Sequence, residues 1–231
     1  MSDSILVVAA HPDDEVLGCG ATVAKHTATG DRVWHLILGE GIMSRRGVAQ
    51  AEKDRALHEL WDSAEQAASV LGVERVILKK FPCCQFDTLS LLDITHAVEE
   101  VIQELKPSII YTHHFGDVNI DHRRTVEAVE TAIRPNGRSF VAEVLSFEIP
   151  SSTEWNFAKP EIFRPNVFVE VSETQFAAKM KALFGPYRKE MRAYPHSRSE
   201  EYVRALATCR GGQAGFPIAE SFVQILRRKH L

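Results

Sequence analysis

Five consecutive apolar residues at positions 5–9 constrain the fold of this chain more than any other stretch. An apolar run without polar alternation is typical of a strand buried on both faces, as strands of parallel α/β sheets are. Polar residues follow at once, in the segment Ala10-His11-Pro12-Asp13-Asp14-Glu15. This segment therefore lies at the carboxyl end of a strand, where open α/β sheets bind their ligands.

Strand and helix patterns alternate through the first two thirds of the chain. The predicted strands are 5–9, 32–38, 75–78 and 108–112, and the predicted helices are 16–29, 49–71, 89–105 and 122–133. This alternation predicts the α/β class, with a Rossmann-like, mostly parallel sheet flanked by helices. After Pro135 the pattern changes to strands 140–149 and 167–171, as a hairpin or edge extension, and helices 173–191 and 199–208. We predict one domain over 1–231, with a core at 1–135 and a C-terminal strand and helix extension at 136–231.

Composition excludes several classes of function. The net charge of −4, without a long basic run, argues against a nucleic-acid partner. The N-terminal apolar run is too short for a signal or for membrane insertion. The four cysteines match no zinc ribbon, and a reduced, cytoplasmic setting is the simplest expectation. The composition is also compatible with a homo-oligomer.

Two other enzyme classes do not fit the motifs. No third glycine completes a dinucleotide-binding fingerprint around Gly18 and Gly20, and the acidic residues before them would repel a pyrophosphate. No Gly-x-Ser-x-Gly elbow of a serine hydrolase is present. The histidines within helix or strand patterns are predicted to be exposed or hydrogen-bonded: His26, His35, His58, His96 and His230.

Polar side chains at two strand ends are candidates for a metal site. His11 and Asp14 follow the first strand, and His122 follows the strand at 108–112. Two histidines and a carboxylate are a frequent catalytic zinc set that leaves a position for water. Asp13 lies between the first two candidates and would be available for proton transfer. A polar turn with a helix N-cap is the alternative interpretation of the first cluster.

The two motifs together resemble the PIG-L/LmbE-like family of zinc-dependent N-deacetylases. The resemblance rests on His-Pro-Asp-Asp-Glu at 11–15 and Asp-His-Arg at 121–123, and it extends over most of the chain. Gly-Glu-Gly at 39–41, Leu-Gly-Val at 71–73 and Ala-Glu-Ser-Phe at 219–222 also fit it. The segments 151–155, 163–166 and 195–199 resemble a branch found with bacterial sugar and polysaccharide biosynthesis.

The resemblance implies a chemistry and a ligand set. It implies that Zn²⁺ is bound by His11, Asp14 and His122, that the metal activates a water, and that Asp13 is the general base. The implied substrate is an N-acetylglucosamine-like sugar or sugar conjugate. Two alternatives stay open: an amidase acting on a thiol-sugar conjugate, and a non-catalytic metal- or sugar-binding module.

The sequence departs from the family pattern at two positions. In the family pattern, an arginine usually lies three residues before a helix glutamate, which Glu65 matches here. This chain has Asp62 at the position of the arginine, so Arg45 is predicted to replace it as the substrate contact. The second motif usually carries a histidine two residues before the aspartate, where this chain has Asn119. We expect His196 to be the oxyanion donor instead, with Asn119 as the rival.

Four further residues are predicted around the site. Asp121 is expected to hold an imidazole in place and to raise its pKa. Trp155 is expected to stack on a sugar, against the alternative that it is a surface aromatic. Arg198 and His114 are predicted substrate contacts.

Overall fold

The computed structural model describes residues 2–42, 47–135, 141–157 and 160–229. In these ranges the strands are β1 (Ser4–Ala9), β2 (Arg32–Gly39), β3 (Arg75–Phe81), β4 (Ile109–His113), β5 (Glu143–Phe147), β6 (Val167–Glu170) and β7 (Ala219–Arg227). The α-helices are α1 (Asp14–Ala28), α2 (Gln50–Leu71), α3 (Leu91–Leu105), α4 (Ile120–Ala132), α5 (Glu173–Phe184) and α6 (Glu200–Ala214).

The strands form one sheet with the order β3-β2-β1-β4-β5-β7-β6. Strands β1 to β5 pair in parallel, and β7 is antiparallel to both of its neighbours. The mostly parallel α/β fold predicted from the sequence is therefore confirmed. The chain runs outward from β1 on one side and from β4 on the other, so the order reverses between these two strands. Such a switch point opens a crevice at the carboxyl ends of the strands.

Burial on both faces explains why residues 5–9 of β1 are apolar, whereas Ser4 at the start of the strand is half-buried. Ile5, Val7 and Ala9 belong to one core, which α1, α2 and α5 cover. Leu6 and Val8 belong to a second core, which α3 and α4 cover. A polar side chain at any of positions 5–9 would therefore be buried and would cost free energy unless it found a hydrogen-bond partner in the core.

The C-terminal part differs from the prediction. Of the two predicted alternatives, the hairpin is wrong, because β7 lies between β5 and β6 and pairs with both. The edge extension is correct, because β6 is the last strand of the sheet. The predicted helix 173–191 ends at Phe184, since Pro186 lacks an N–H donor and disfavours helix in the residue before it. The predicted helix 199–208 continues to Ala214. Strand β7 escaped prediction because polar residues on both of its faces obscure the alternation.

A kink in α1 is stabilised by a buried ion pair. Cys19 has non-helical dihedrals, and the carboxylate of Glu220 accepts hydrogen bonds from the backbone N–H groups of Ala21 and Thr22 (3.2 and 2.6 Å). Lys179 Nζ donates to the carbonyl oxygen of Leu17 (2.7 Å) and to Glu220 (2.6 Å). In a regular helix the N–H of Ala21 would bond to the carbonyl of Leu17. The ion pair thus supplies both partners that the kink removes.

We predict that Glu220→Gln lowers the free energy of unfolding by about 3–5 kcal/mol, because it leaves Lys179 as an uncompensated buried charge. Urea unfolding measures this loss. The exposed Arg32–Glu74 pair is the matched control, and Glu74→Gln should cost at most about 1 kcal/mol. Equal losses in the two variants would contradict a special role for the buried pair.

His35 is a buried histidine that corrects the sequence expectation. It lies in β2 with no exposed surface, and neither ring nitrogen has a hydrogen-bond partner among the described residues. Burial lowers the pKa of His35 to about 3, because a charged imidazole would lose its hydration. The folded protein therefore requires the neutral ring.

We predict that His35 destabilises the fold in acid. The unfolded pKa is about 6.5, so stability is lost as pH falls from there towards 3, by up to about 1.4 kcal/mol per pH unit. His35→Leu removes this contribution. Urea unfolding between about pH 7 and pH 4 measures this effect. The free energy of unfolding of the variant, relative to that of the wild type, should increase as pH falls. A constant difference between the two proteins would contradict the prediction.

Candidate metal centre

Three side chains from the two strand ends converge at the switch point. His11 follows β1, Asp14 begins α1, and His122 lies in the first turn of α4. His11 Nδ1 is 3.2 Å from Asp14 Oδ2, and His122 Nε2 is 3.3 Å from the same oxygen. The side chain of His11 is 13% exposed, whereas Asp14 and His122 are almost fully buried. The cluster is therefore open to solvent on the His11 side.

The spacing of these atoms fits a tetrahedral metal. Ligands bound to Zn²⁺ at about 2.1 Å in tetrahedral geometry stand about 3.4 Å from one another. The ligand atoms of His11, Asp14 and His122 all lie within 4.8 Å of each other. Asp14 Oδ1 is buried and has no hydrogen-bond partner among the described residues. The donor set and this unsatisfied oxygen both fit a bound divalent cation.

Each candidate histidine ligand has a carboxylate on its other ring nitrogen. Asp121 Oδ2 is 2.9 Å from His11 Nε2, and Asp117 Oδ2 is 3.2 Å from His122 Nδ1. Carboxylates in this position fix the tautomer and orientation of metal-bound histidines. Asp121 therefore holds the ring of a candidate metal ligand, His11, and a role beside the oxyanion donor stays a prediction. Asp117 was missed, although its place just beyond β4 offered the same signal.

Backbone and hydroxyl groups hold these two carboxylates in turn. The backbone N–H groups of Cys84 and Phe86 donate to Asp121 (2.5 and 3.0 Å). Ser152 and Thr153 donate their hydroxyls to Asp117. The orientation of each histidine is therefore fixed through a second layer of hydrogen bonds.

The electrostatics of the cluster favour a cation at its centre. Burial disfavours a charged His122, but Asp14 and Asp117 outweigh this effect and raise its pKa to about 9. Burial likewise opposes a charged His11, yet hydrogen bonds to Asp121 and Asp14 hold its pKa above the usual range. The carboxylates around the two rings thus create a strongly negative site, and a divalent cation would balance it.

Asp13 is held beside the cluster in an unusual conformation. Its φ of 102° lies in the left-handed region, which is strained for a residue with a Cβ. Glu15 Oε2 accepts from the backbone N–H of Asp13 (3.0 Å), and Tyr187 donates its hydroxyl to Glu15 Oε1 (2.6 Å). Arg198 Nη1 is 2.5 Å from Asp13 Oδ2. Sequence reasoning missed Tyr187, which comes from the loop after α5.

Burial dominates the charge state of Asp13. It raises the pKa of the carboxyl to about 7, while the Arg198 guanidinium acts in the opposite direction. Burial also raises the pKa of Glu15 to about 8. Asp13 therefore titrates near neutral pH, which suits a group that accepts and returns a proton.

The two adjacent histidines at the end of β4 have different surroundings. His113 Nε2 accepts from the N–H of Ala10 (2.8 Å), and its ring stacks on His122 with centroids 4.0 Å apart. It thus supports the face of a candidate ligand. The ring of His114 is buried and packs against Phe115 and Phe163. A substrate contact for His114 stays a prediction.

The remaining predicted residues lie at the edge of the cluster or outside the described part. Trp155 is 41% exposed, and the centroid of its ring lies 6.0 Å from the centroid of the His196 ring. Asn119 is the N-cap of α4, where its Oδ1 accepts from the N–H of Asp121 (2.9 Å). Arg45 lies outside the described residues. Arg198 contacts Asp13 directly, whereas the sequence analysis assigned it to the substrate.

Comparisons with known proteins relate this chain to a family of deacetylases. Residues 6–133 match the family described as PIG-L: GlcNAc-PI de-N-acetylase. The uncharacterized deacetylase YaiS of Escherichia coli (strain K12) is 29% identical over 184 residues, covering 78% of this chain and 88% of YaiS. Diacetylchitobiose deacetylase of Thermococcus kodakarensis is 25% identical, over 94% of this chain and 80% of the relative.

A solved structure shares the fold. N,N'-diacetylchitobiose deacetylase from Pyrococcus horikoshii superposes with a TM-score of 0.77 at 18% identity, covering 96% of this chain and 83% of the other.

Across the described ranges, none of the helices has the length and apolar character required to traverse a bilayer.

We predict one Zn²⁺ per chain, removable by a chelator. His11→Ala and His122→Ala should lose most of it, because each removes one of three protein ligands. Asp117→Asn should lower the affinity about 10- to 100-fold, since it weakens the support of His122. Elemental analysis after dialysis measures the metal content. Full zinc content in either alanine variant would show that these ligands are wrongly assigned.

Proposed function

Because the chain belongs to the PIG-L family, as the match over residues 6–133 shows, we propose that it is a zinc-dependent N-deacetylase. Its substrate in this proposal is an N-acetylglucosamine-like sugar or sugar conjugate. The observation that carries the proposal is the convergence of His11, Asp14 and His122 at metal-ligand spacing beside Asp13. The names of two relatives support the substrate class: diacetylchitobiose deacetylase, and the 1D-myo-inositol 2-acetamido-2-deoxy-alpha-D-glucopyranoside deacetylase of Thermomonospora curvata.

The proposed chemistry is amide hydrolysis. Held by His11, Asp14 and His122, Zn²⁺ would supply a Lewis acid for the carbonyl and would lower the pKa of the attacking water towards neutrality. Asp13 takes a proton from the water as its oxygen adds to the acetyl carbon. Asp13 then gives this proton to the nitrogen as the carbon–nitrogen bond breaks. The products are acetate and the amine of the sugar.

Arg198 fits a supporting role for the base. Its Nη1 lies 2.5 Å from Asp13 Oδ2, and its Nε donates to the hydroxyl of Ser151 (2.7 Å). A guanidinium fixed at two points restrains the rotamer of Asp13 and keeps its pKa from rising further. We therefore propose that Arg198 positions Asp13, the proposed base, and that the exposed ring of Trp155 stacks on the sugar.

Acetate release from a panel of N-acetylated sugars tests the function. We predict that Asp13→Asn keeps its zinc but loses about two or more orders of magnitude in kcat, because the amide cannot accept the proton. Glu59→Gln, at an exposed ion pair on α2, is the control and should match the wild type. Zinc-loaded wild type that releases no acetate from any member would refute the proposal. Normal turnover of Asp13→Asn would contradict only the assignment of Asp13 as the general base.

His196 is the proposed donor to the oxyanion. The backbone N–H of Arg198 donates to His196 Nδ1 (3.0 Å), so the ring proton lies on Nε2. His196 therefore offers an N–H donor in its neutral form. Asn119 is the rival donor. The backbone N–H of Asp121 donates to Asn119 Oδ1, which leaves the side-chain amide N–H groups of Asn119 as donors.

We predict that His196→Ala lowers kcat by roughly a hundredfold, the usual loss when one oxyanion donor is removed. The variant should keep its zinc. Asn119→Ser is the matched comparison, because serine still caps α4 but lacks the amide N–H groups. It should have little effect on kcat. Steady-state kinetics with metal analysis separates the two residues, and the reverse pattern would assign the role to Asn119.

A further inference from the structure

Exposed apolar side chains are concentrated on two loops at the carboxyl edge of the sheet. Five of the seven large exposed ones among the described residues belong to the loop after β4 or to the loop after β5. We call these five the apolar rim: Phe115, Val118, Trp155, Phe157 and Ile162. Phe157 is 87% exposed. Because contiguous exposed apolar surface commonly marks a binding site, the rim requires a partner.

The two loops pack against each other. Gly116 lies directly against the carbonyl oxygen of Glu161, so that no side chain would fit between them. The side-chain amide of Asn156 donates to the same oxygen (2.9 Å). Each of these three residues is next in the chain to at least one member of the rim. The loops therefore present the rim as one surface.

Polar groups of the same loops are bonded to one another. The carboxylate of Glu154 accepts from the backbone N–H groups of Ser151 and Ser152 (2.7 and 3.1 Å). Arg123 Nη1 donates to two carbonyl oxygens of the loop after β4, both at 2.7 Å. A hydroxylated ligand would lose hydration on the apolar side chains without gaining these groups as partners. The rim therefore favours an apolar ligand over a glycan.

The rim begins at the candidate metal centre. The hydroxyl of Thr153 donates to Asp117 (2.7 Å), the carboxylate that supports His122. The ring of Trp155 lies beside that of His196, the proposed oxyanion donor. A molecule whose acetamide reaches the metal centre therefore meets the rim with any substituent that it carries on this side.

We propose that the apolar rim binds an apolar group of the substrate, an aryl or alkyl group joined to the N-acetylated sugar. In this arrangement the sugar stacks on Trp155, and its apolar substituent covers Phe157 and Ile162. Burial of apolar surface on both sides supplies the affinity. The identity of the sugar rests on the proposed function, whereas the affinity of the rim for an apolar group does not.

Two glycosides of N-acetylglucosamine test the proposal. The probes are the methyl and the hexyl glycoside, which differ only in the length of the apolar chain. Calorimetric titration uses zinc-loaded Asp13→Asn protein, whose slow turnover keeps the probes intact, and concentrations at which the hexyl glycoside forms no micelles. The hexyl glycoside should bind at least about tenfold more tightly, because each methylene group buried on the rim adds affinity. Equal affinities would overturn the proposal.

Variants of the rim locate the effect. Phe157→Ser combined with Ile162→Ser should lose most of the preference for the hexyl glycoside, and substitution at exposed positions leaves the fold intact. Leu92→Ser, at an exposed leucine on α3, is the matched control and should keep the preference. A preference that survives in the double variant would contradict the assignment to the rim. Absence of acetate release by the wild type would refute only the proposed function, since these affinities are measured without turnover.

Two other occupants are tested with the same variants. N,N',N''-triacetylchitotriose adds sugar rings without an apolar chain, and the double variant should bind it as tightly as the protein with an intact rim. Sedimentation velocity of the wild type and the double variant tests for a second copy of the chain. A dimer that the double variant abolishes would overturn the proposal, as would a preference for the trisaccharide that depends on the rim.

Discussion

The ion pair between Lys179 and Glu220 connects the C-terminal extension to the helix that carries Asp14. It takes one residue from α5 and one from β7 and places both at the kink of α1. The kink allows Gly18 to press against Phe147, where an added Cβ would lie 2.4 Å from a ring carbon. Phe147 in turn packs against His113 with centroids 4.9 Å apart. A continuous series of contacts therefore runs from the ion pair to the ring that stacks on His122.

The candidate metal centre buries more negative charge than its own residues balance. Asp14, Asp117 and Asp121 are all almost fully buried, and the imidazoles of His11 and His122 lie against them. His113 Nε2 is also 3.6 Å from Asp14 Oδ2, but burial lowers the pKa of His113, so this ring adds no opposing charge. Uncompensated buried charge is costly, so the arrangement stabilises a cation and is stabilised by it. The same field extends to Asp13, whose neighbours include Asp14, and Arg198 supplies the opposing charge. Cation binding at the candidate centre and the charge state of Asp13, the proposed base, are therefore parts of one electrostatic balance.

The sequence predicted the features whose physical cause is local. The apolar run at 5–9 predicts a doubly buried strand, and polar residues directly after β1 and β4 predict the switch-point cluster. Strand β7 was not predicted, because Glu220 is a buried charge whose partner, Lys179, comes from a distant helix. Tyr187 was missed for the same reason, since its bond to Glu15 joins residues far apart in sequence. Tertiary contacts of this kind leave no periodic signal.

The position of β7 in the sheet has a consequence for synthesis on the ribosome. Residues 219–227 emerge after every other strand of the sheet, yet they separate β5 from β6 and supply Glu220 to α1. Until then β6 has no neighbouring strand, since β7 is its only pairing partner among the described residues. Long-range pairings of this kind form slowly and leave edges exposed in nascent chains. Until β7 is synthesised, the strands that carry the candidate metal ligands must therefore stay folded without β7 and without the Lys179–Glu220 ion pair. Chaperone binding would be most useful during this period.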